Sequence, residues 1–222
     1  MPIIAGIDEA GYGPTLGPLV VTSTIFNIPD PAKNNIWELL KEVVSDKICK
    51  SNDKIIVTDS KKVYSSSNGL QRLESSILSF IYSLKGEIDS FKNLLISISK
   101  TNEENLDIYP WHAKKDIFMP VASDCNDVSN YARNLSEEMK KRDVKLIDIA
   151  TVPVTSYYFN EEVNKLGNKS VLLFNKCAKL ILDIWNRFGE MSPSLFIDKH
   201  GGRNRYLPLL LPIFDNCFIR IH

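Results

Sequence analysis

Residues 7–21 read Ile-Asp-Glu-Ala-Gly-Tyr-Gly-Pro-Thr-Leu-Gly-Pro-Leu-Val-Val, and this stretch decides the fold. It joins two apolar runs, residues 3–7 and 19–26, through a turn rich in glycine and proline. Such runs on either side of a turn predict a pair of β-strands. Asp8 and Glu9 end the first strand, which has no structural need for paired acids. Successive strand residues point to opposite faces of a sheet, so at least one of the two acids would face a packed layer unless the strand ends there. Acidic residues at a strand end, beside a flexible turn, are a common way to hold a metal ion.

Beyond this pair, helical and strand-like patterns are mixed along the chain. Apolar residues recur at helical spacing in several segments, and short apolar or alternating runs mark further strands. The mixture predicts an α/β or α+β fold with a mixed sheet. The predicted helices are 33–45, 70–84, a helix capped by Asp127 that runs through Arg142, and 170–188. The predicted strands are 55–57, 94–98, 145–154, 195–197 and 218–221, and 109–120 is a predicted loop.

The composition is that of an ordinary globular protein. The chain has 222 residues, 44% of them apolar and 24% charged, which predicts one domain or one domain with an insertion. Acidic and basic residues number 27 each, and this neutrality counts modestly against tight nucleic-acid binding without excluding a local basic patch. The four cysteines lack zinc spacing, which indicates free thiols in a reducing compartment. No run is long enough to span a membrane and no leader pattern opens the chain, so we predict a cytoplasmic protein.

Acidic residues end or follow three of the apolar strands. They are the Asp8–Glu9 pair, Asp59 and Asp198. Hydrolysis of a phosphodiester by two metal ions needs a carboxylate cluster that holds the ions about 3.5–4 Å apart. Oxygen ligands of this kind select Mg²⁺ or Mn²⁺. For Asp59 alone, the favoured interpretation is a cap of the following turn, whereas for the Asp8–Glu9 pair it is a functional site.

The glycines of the first turn have two interpretations. Gly11, Gly13 and Gly17 resemble a nucleotide-binding loop, but such a loop needs a helix directly after it. Here Pro18 and a β-branched run follow, which favours a hairpin turn with positive φ at glycine. Exposed backbone N–H groups in this turn could still approach a phosphodiester backbone.

Basic residues follow two of the acidic positions. Ser60, Lys61 and Lys62 form either a solvated turn or a phosphate contact. The segment 198–206 carries three cations, among them Arg203, and so supplies a local basic surface that the net charge hides. His200 in this segment could transfer protons, but a single surface histidine is more often a bystander.

Four motifs in this order resemble ribonuclease HII. They are Asp8-Glu9-Ala10-Gly11, Gly13-Pro14, Gly17-Pro18 and Asp59-Ser60-Lys61-Lys62, and the N-terminal match covers about 25 residues. The resemblance implies a ribonuclease H-like fold, a mixed β-sheet flanked by helices. It also implies metal-dependent endonucleolytic cleavage of RNA in RNA/DNA hybrids and of DNA that contains ribonucleotides, leaving 3′-hydroxyl and 5′-phosphate ends.

The resemblance also implies a role for individual residues. Asp8, Glu9 and Asp198 would be the catalytic carboxylates and the ligands of Mg²⁺ or Mn²⁺. The turn at Gly11, Tyr12 and Gly13 would contact the backbone and sense the 2′-hydroxyl that distinguishes RNA from DNA. The remaining predicted substrate-binding residues are Ser60, Lys61, Lys62 and Arg203. We expect a monomer that binds no membrane.

The chain departs from the family pattern in four places. Tyr12 stands where the family has Arg, and Gly201-Gly202-Arg203 is not the usual continuation after Asp198. The family's fourth carboxylate and C-terminal helix have no counterpart before His222, so we expect residues 1–222 to be a single domain that is incomplete at its C-terminus. Residues 85–144 match nothing in the family pattern, and we interpret them as an insertion.

Two rival interpretations belong to other functional classes. One is an inactive nucleic-acid-binding or scaffold protein of the same fold, which Tyr12 and the missing carboxylate favour. The other is an ATP-using enzyme of the actin and sugar-kinase group. That group needs two such domains and an Asp-x-Gly-x-Thr motif, which the chain lacks.

Overall fold

The computed structural model describes residues 2–13, 17–29, 35–48, 53–65, 67–100, 116–200 and 205–214. Strands and helices are mixed along these residues, as the sequence predicts. The strands are β1 (Ile3–Ala10), β2 (Leu19–Asn27), β3 (Val44–Ser45), β4 (Ile55–Ile56), β5 (Lys145–Val154) and β6 (Ser194–Ile197). The helices are α1 (Ile36–Leu40), α2 (Ser60–Tyr64), α3 (Gly69–Lys85), α4 (Phe91–Ile98), α5 (Cys125–Lys141), α6 (Ser156–Leu166), α7 (Lys169–Phe188) and α8 (Leu207–Leu210).

A mixed sheet of four strands, flanked by helices, carries the fold. Its strand order is β5-β2-β1-β6, so the N-terminal strand lies inside the sheet and the late strand β6 pairs beside it. The α/β prediction is therefore confirmed. Strands β3 and β4 form a separate parallel pair.

Alternation of apolar side chains explains the two N-terminal strands. In β1, Ile3, Ala5 and Ile7 are buried while the residues between them are more exposed. In β2, burial likewise recurs at every second residue from Leu19 to Ile25. This period of two fixes which face of each strand enters the core, because a shift of one residue would expose the whole apolar set.

The described residues fall into two compact units. Unit 1 takes its residues from Ile25–Ile98 and Asp107–Ile149 together with Pro2, and unit 2 from Ile3–Thr24, Ser99–Leu106 and Ala150–His222. The division falls within β2 and β5. The prediction of a single domain with an insertion at 85–144 stays a prediction.

Helix α7 supplies much of the core of unit 2. Asn168 caps its start by accepting a hydrogen bond from the backbone N–H of Ser170. Leu172, Leu173, Leu180 and Ile184 on this helix are almost completely buried. The predicted helix at 170–188 is therefore confirmed, as are the helix at 70–84 and the strands at 55–57, 145–154 and 195–197.

Two predicted elements are wrong because pairing and capping override short apolar patterns. The helix predicted at 33–45 is only α1, since Val44–Ser45 pairs with Ile55–Ile56 as a strand. The strand predicted at 94–98 is the helix α4, and the hydroxyl of Ser90 accepts the N–H of Asn93 at its start. A short apolar run does not distinguish strand from helix by periodicity.

Three further details differ from the sequence predictions. Asp124, not Asp127, caps α5, by accepting the N–H groups of Asn126 and Asp127. Strand β1 continues through Asp8 and Glu9 to Ala10 instead of ending at the acidic pair. Helix α6 was not predicted, because it buries only Phe159 and so has a weak apolar pattern. The predicted strand at 218–221 and most of the predicted loop at 109–120 lie outside the described residues.

A single carboxylate in unit 1 holds the segment before α5. Glu74 on α3 accepts the backbone N–H groups of Val121, Ala122 and Ser123 at 2.5, 2.6 and 2.7 Å. Partial burial raises the pKa of Glu74, but these N–H groups and the Ser123 hydroxyl outweigh burial and lower the pKa below its ordinary value of 4.5. Glu74 is therefore a charged clamp on this segment.

Replacing Glu74 with Gln is expected to lower the free energy of unfolding at pH 7 by about 1–2 kcal/mol, a discounted figure because the carboxylate is partly exposed. The folded-state pKa is depressed, so the stabilisation exists above the unfolded pKa and is lost as the pH falls through the folded pKa. The difference from the wild type should therefore shrink below about pH 4.5. Urea unfolding from pH 7 to pH 3 measures it, with Glu137→Gln on the exposed face of α5 as control. Equal stability of the wild type and Glu74→Gln at pH 7 contradicts the prediction.

None of the helices among the described residues is long and apolar enough to cross a membrane.

Candidate active site

Strand pairing brings two of the predicted catalytic aspartates side by side. Strands β1 and β6 run parallel, and their aligned pairs run from Ile4 with Ser194 to Ile7 with Ile197. Asp8 directly follows Ile7, and Asp198 directly follows Ile197. Because the backbones of neighbouring strands lie about 4.8 Å apart, the two aspartates are neighbours at this end of the strand pair.

Both aspartates have the same local geometry. The Oδ1 atom of Asp8 accepts the N–H of Glu9 at 2.8 Å, and the Oδ1 atom of Asp198 accepts the N–H of Lys199 at 2.7 Å. Both residues are exposed to solvent. In each case the backbone hydrogen bond fixes one carboxylate oxygen at the end of its strand.

Glu9 completes a cluster of three negative charges. Partial burial and then the charges of Asp8 and Asp198 raise the pKa of Glu9, against a smaller lowering effect of its own backbone N–H. Among the described residues no ion pair joins any of the three carboxylates to a basic side chain. Mutual repulsion without a basic partner makes the cluster attractive to a cation.

The donor set consists of groups that suit a hard metal ion. Carboxylate oxygens are the ligands that Mg²⁺ and Mn²⁺ prefer. Within the described residues, however, no three His, Cys, Asp or Glu side chains are grouped closely enough to bind one ion. The assignment of Asp8, Glu9 and Asp198 as metal ligands stays a prediction.

The turn after β1 needs glycine on physical grounds. Gly11 and Gly13 have φ angles of 76° and 95°, in the left-handed region that other residues avoid. A Cβ atom on Gly11 would lie 2.4 Å from the carbonyl oxygen of Pro18, a clash with rigid backbone. The positive φ expected of glycine in this turn is thus confirmed for Gly11 and Gly13, between which Tyr12 lies.

Tyr12 has a basic neighbour that the sequence does not reveal. The ammonium nitrogen of Lys169, the first residue of α7, lies 4.8 Å from the centroid of the Tyr12 ring. Both side chains are exposed. A cation therefore lies over the ring of Tyr12.

The second predicted substrate-binding group belongs to unit 1. Asp59 caps α2 by accepting the N–H groups of Lys61 and Lys62 at 2.8 and 3.3 Å, which confirms the capping interpretation of this aspartate. Ser60, Lys61 and Lys62 form the exposed first turn of α2. Their role as phosphate contacts stays a prediction, and Arg203 lies outside the described residues.

His200 is buried, which corrects its interpretation as a surface residue. Only 4% of it is exposed, because its ring packs edge-on against Phe174 and Tyr206. Its Nε2 atom lies 3.2 Å from the sulfur of Cys177 on α7, and its backbone N–H donates to the hydroxyl of Tyr206. These contacts anchor the segment that begins at Asp198.

Cys177 lies close enough to the acidic cluster to respond to it. Burial, followed by the charges of Glu9 and Asp8, raises the pKa of the Cys177 thiol to about 12. A thiol with this pKa stays protonated at neutral pH and is a poor nucleophile. Cys177 and Cys125 are free thiols, as predicted, while Cys49 and Cys217 lie outside the described residues.

Comparisons with protein-family models, curated proteins and solved structures found no match to this chain. The resemblance to ribonuclease HII therefore rests on the motifs of the sequence.

Proposed function

We propose that the chain is a metal-dependent endonuclease of ribonuclease H type, which hydrolyses RNA in RNA/DNA duplexes. The observation that carries the proposal is the register of β1 with β6, which places Asp8 beside Asp198 and gives Glu9 two acidic neighbours. Carboxylates on the ends of adjacent strands are a rigid support for metal ligands. The motifs that resemble ribonuclease HII contain Asp8 and Glu9, and the resemblance implies Asp198 as the third carboxylate.

The proposed chemistry assigns a role to each part of the site. Two bound Mg²⁺ or Mn²⁺ ions would activate water and stabilise the leaving oxygen in phosphodiester hydrolysis. Asp8, Glu9 and Asp198 would hold the ions, and the raised pKa of Glu9 means that binding competes with protons more strongly at this carboxylate. The turn at Gly11–Gly13 offers backbone N–H groups to the nucleic-acid backbone, next to the cluster in sequence.

The same proposal includes the detailed arrangement of the sheet, the substrate, the oligomeric state and the cellular location. We propose a ribonuclease H-like arrangement of the sheet, supported by the central place of β1 and by the parallel pairing of β6 with it. The substrate would be an RNA/DNA hybrid or DNA that contains ribonucleotides. A monomer acting in the cytoplasm suits this chemistry.

The test is cleavage by the purified chain in the presence of increasing Mn²⁺ or Mg²⁺. Three labelled duplexes are compared: an RNA/DNA hybrid, DNA with one embedded ribonucleotide, and all-DNA. We expect cutting of the two RNA-containing duplexes, dependence on the metal concentration, and loss of cutting in EDTA. Mapping the ends should show 3′-hydroxyl and 5′-phosphate products.

Two other outcomes would replace the proposal. Binding of the duplexes without cleavage at any metal concentration favours the inactive nucleic-acid-binding protein of the same fold. Neither binding nor cleavage rejects nucleic acid as the substrate altogether.

A further inference from the structure

A basic and an aromatic side chain meet in unit 2, which also contains the acidic cluster. Lys169 places its ammonium 4.8 Å from the centre of the Tyr12 ring, within the range of a cation–π contact. Tyr12 follows Glu9 by three residues and is 38% exposed. We call Tyr12 and Lys169 the cation–ring pair.

Turns on both sides fix the position of the cation–ring pair. On one side, Gly11 is held against the backbone of Pro18, which restricts the path of the chain into Tyr12. On the other side, Gly167 ends α6 in a left-handed conformation, with φ of 67°, and Asn168 caps α7 directly before Lys169. The backbone therefore delivers both side chains to one place.

Helix stability does not explain a lysine at this position. The N-terminus of a helix carries partial positive charge, so a cation in the first turn is unfavourable and an acidic residue is preferred. Among the described residues no carboxylate forms an ion pair with Lys169. The three negative charges of Asp8, Glu9 and Asp198 would repel a polyanion, so a cation on the same unit is useful to a nucleic-acid strand.

We propose that the cation–ring pair binds one phosphate of the nucleic-acid strand next to the scissile bond, an inference that rests on the proposed function. Lys169 supplies the positive charge, since lysine is a common phosphate contact. The ring of Tyr12 supplies a contact for the ammonium of Lys169. The ligand is a phosphodiester within an RNA-containing duplex, and Lys169 determines affinity without reading base sequence.

The experiment measures binding of a fluorescein-labelled RNA/DNA hybrid in EDTA, where metal-dependent cleavage is suppressed, from 50 to 300 mM KCl. Lys169→Gln is expected to weaken binding at 100 mM KCl about three- to fivefold, the size of one exposed charged interaction. The negative slope of log K for association against log salt should become shallower by about 0.9, the value expected when one phosphate is no longer neutralised. Lys165→Gln on α6 removes the same charge from an ammonium that lies 3.9 Å from Glu161, and it should leave both quantities unchanged.

Moving the positive charge from residue 169 to residue 12, a charge exchange, distinguishes phosphate binding by the pair from a purely structural role of the pair. Because the Lys169 ammonium lies 4.8 Å from the Tyr12 ring, we expect the guanidinium of an arginine at residue 12 to reach the same region. The double variant Tyr12→Arg with Lys169→Gln should therefore regain affinity and salt slope, although it contains no cation–π pair between these residues. A purely structural role of the pair predicts no such recovery.

Three results would overturn the inference. They are an unchanged affinity and salt slope in Lys169→Gln, an equal loss in Lys165→Gln, or no recovery in the charge exchange. If the wild type binds and cuts the hybrid while one of these results is obtained, only the inference fails. If the wild type binds no RNA-containing duplex, the proposed function fails and the phosphate site fails with it.

Discussion

Replacing Asp8 with Asn is expected to abolish metal-dependent cleavage of an RNA/DNA hybrid. Asparagine keeps the shape of the side chain and can still accept the N–H of Glu9 through its Oδ1 atom, so the local geometry is preserved. It removes the negative charge that a hard cation needs from this ligand. The loss in turnover should be on the order of 10³-fold or more, comparable to the removal of a strong preorganised electrostatic interaction.

The same substitution should stabilise the metal-free chain. Partial burial and then the charge of Asp8 raise the pKa of Glu9, so ionised Glu9 opposes folding at neutral pH, and this opposition disappears as the pH falls through the folded pKa of Glu9. Removing the charge of Asp8 relieves part of the repulsion. After allowance for solvent screening, we expect the melting temperature at pH 7 to rise by about 1–3 °C, and the gain to shrink toward pH 4.

Asp59→Asn is the matched control for both effects. It makes the same chemical change at a helix cap, where asparagine caps nearly as well as aspartate. Melting curves and single-turnover cleavage rates are measured for the wild type and both variants. A loss of cleavage without a rise in melting temperature would indicate that Asp8 is catalytic but not repelled by its neighbours. Retained cleavage in Asp8→Asn rules out its role as a metal ligand.

The elements with strong periodicity are the ones that the sequence predicts well. Residues 145–154 form β5 with the bounds predicted, and the apolar face of 170–188 identifies α7. Weak or short patterns are misread: four of the five residues in 94–98 are apolar, and the helical state of this run depends on capping by Ser90. The contribution of tertiary pairing to Val44–Ser45 is not visible in the local sequence at all.

The candidate site is likewise predicted only in part from the sequence. The sequence identifies Asp8 and Glu9 because charged residues interrupt an apolar strand pattern. It marks Asp198 as an acidic residue at a strand end, but it does not show that β6 pairs with β1, and only the family resemblance joins Asp198 to Asp8 and Glu9 in one site. Contacts between distant side chains, such as Lys169 with Tyr12, leave no local signal, although an apolar spacing on α7 does place Cys177 on the buried face.

His200 is buried, which the sequence does not show, and its contacts hold the segment that begins at Asp198. It follows Asp198 by two residues, and its ring is enclosed by Phe174, Cys177 and Tyr206. Its backbone N–H is also bound, at 2.8 Å, by the Tyr206 hydroxyl. These contacts fix the backbone at His200, two residues after Asp198. A movement of His200 would therefore displace the Asp198 carboxylate from its position beside Asp8.

Replacing His200 with Ala is expected to lower the free energy of unfolding by about 2–3 kcal/mol through the cavity left in the core. As a positioning residue beyond the proposed ligands, it should also weaken Mn²⁺ binding about 10- to 100-fold. Ile184→Ala on α7 makes a cavity at a residue with no exposed surface, so it should be at least as destabilising. Calorimetric titration with Mn²⁺ at 15 °C, where each variant is still folded, separates the two effects. Weaker Mn²⁺ binding in His200→Ala but not in Ile184→Ala identifies the anchor as a determinant of carboxylate position. Equal binding in both variants limits His200 to stability, because cavity formation alone then explains its whole contribution.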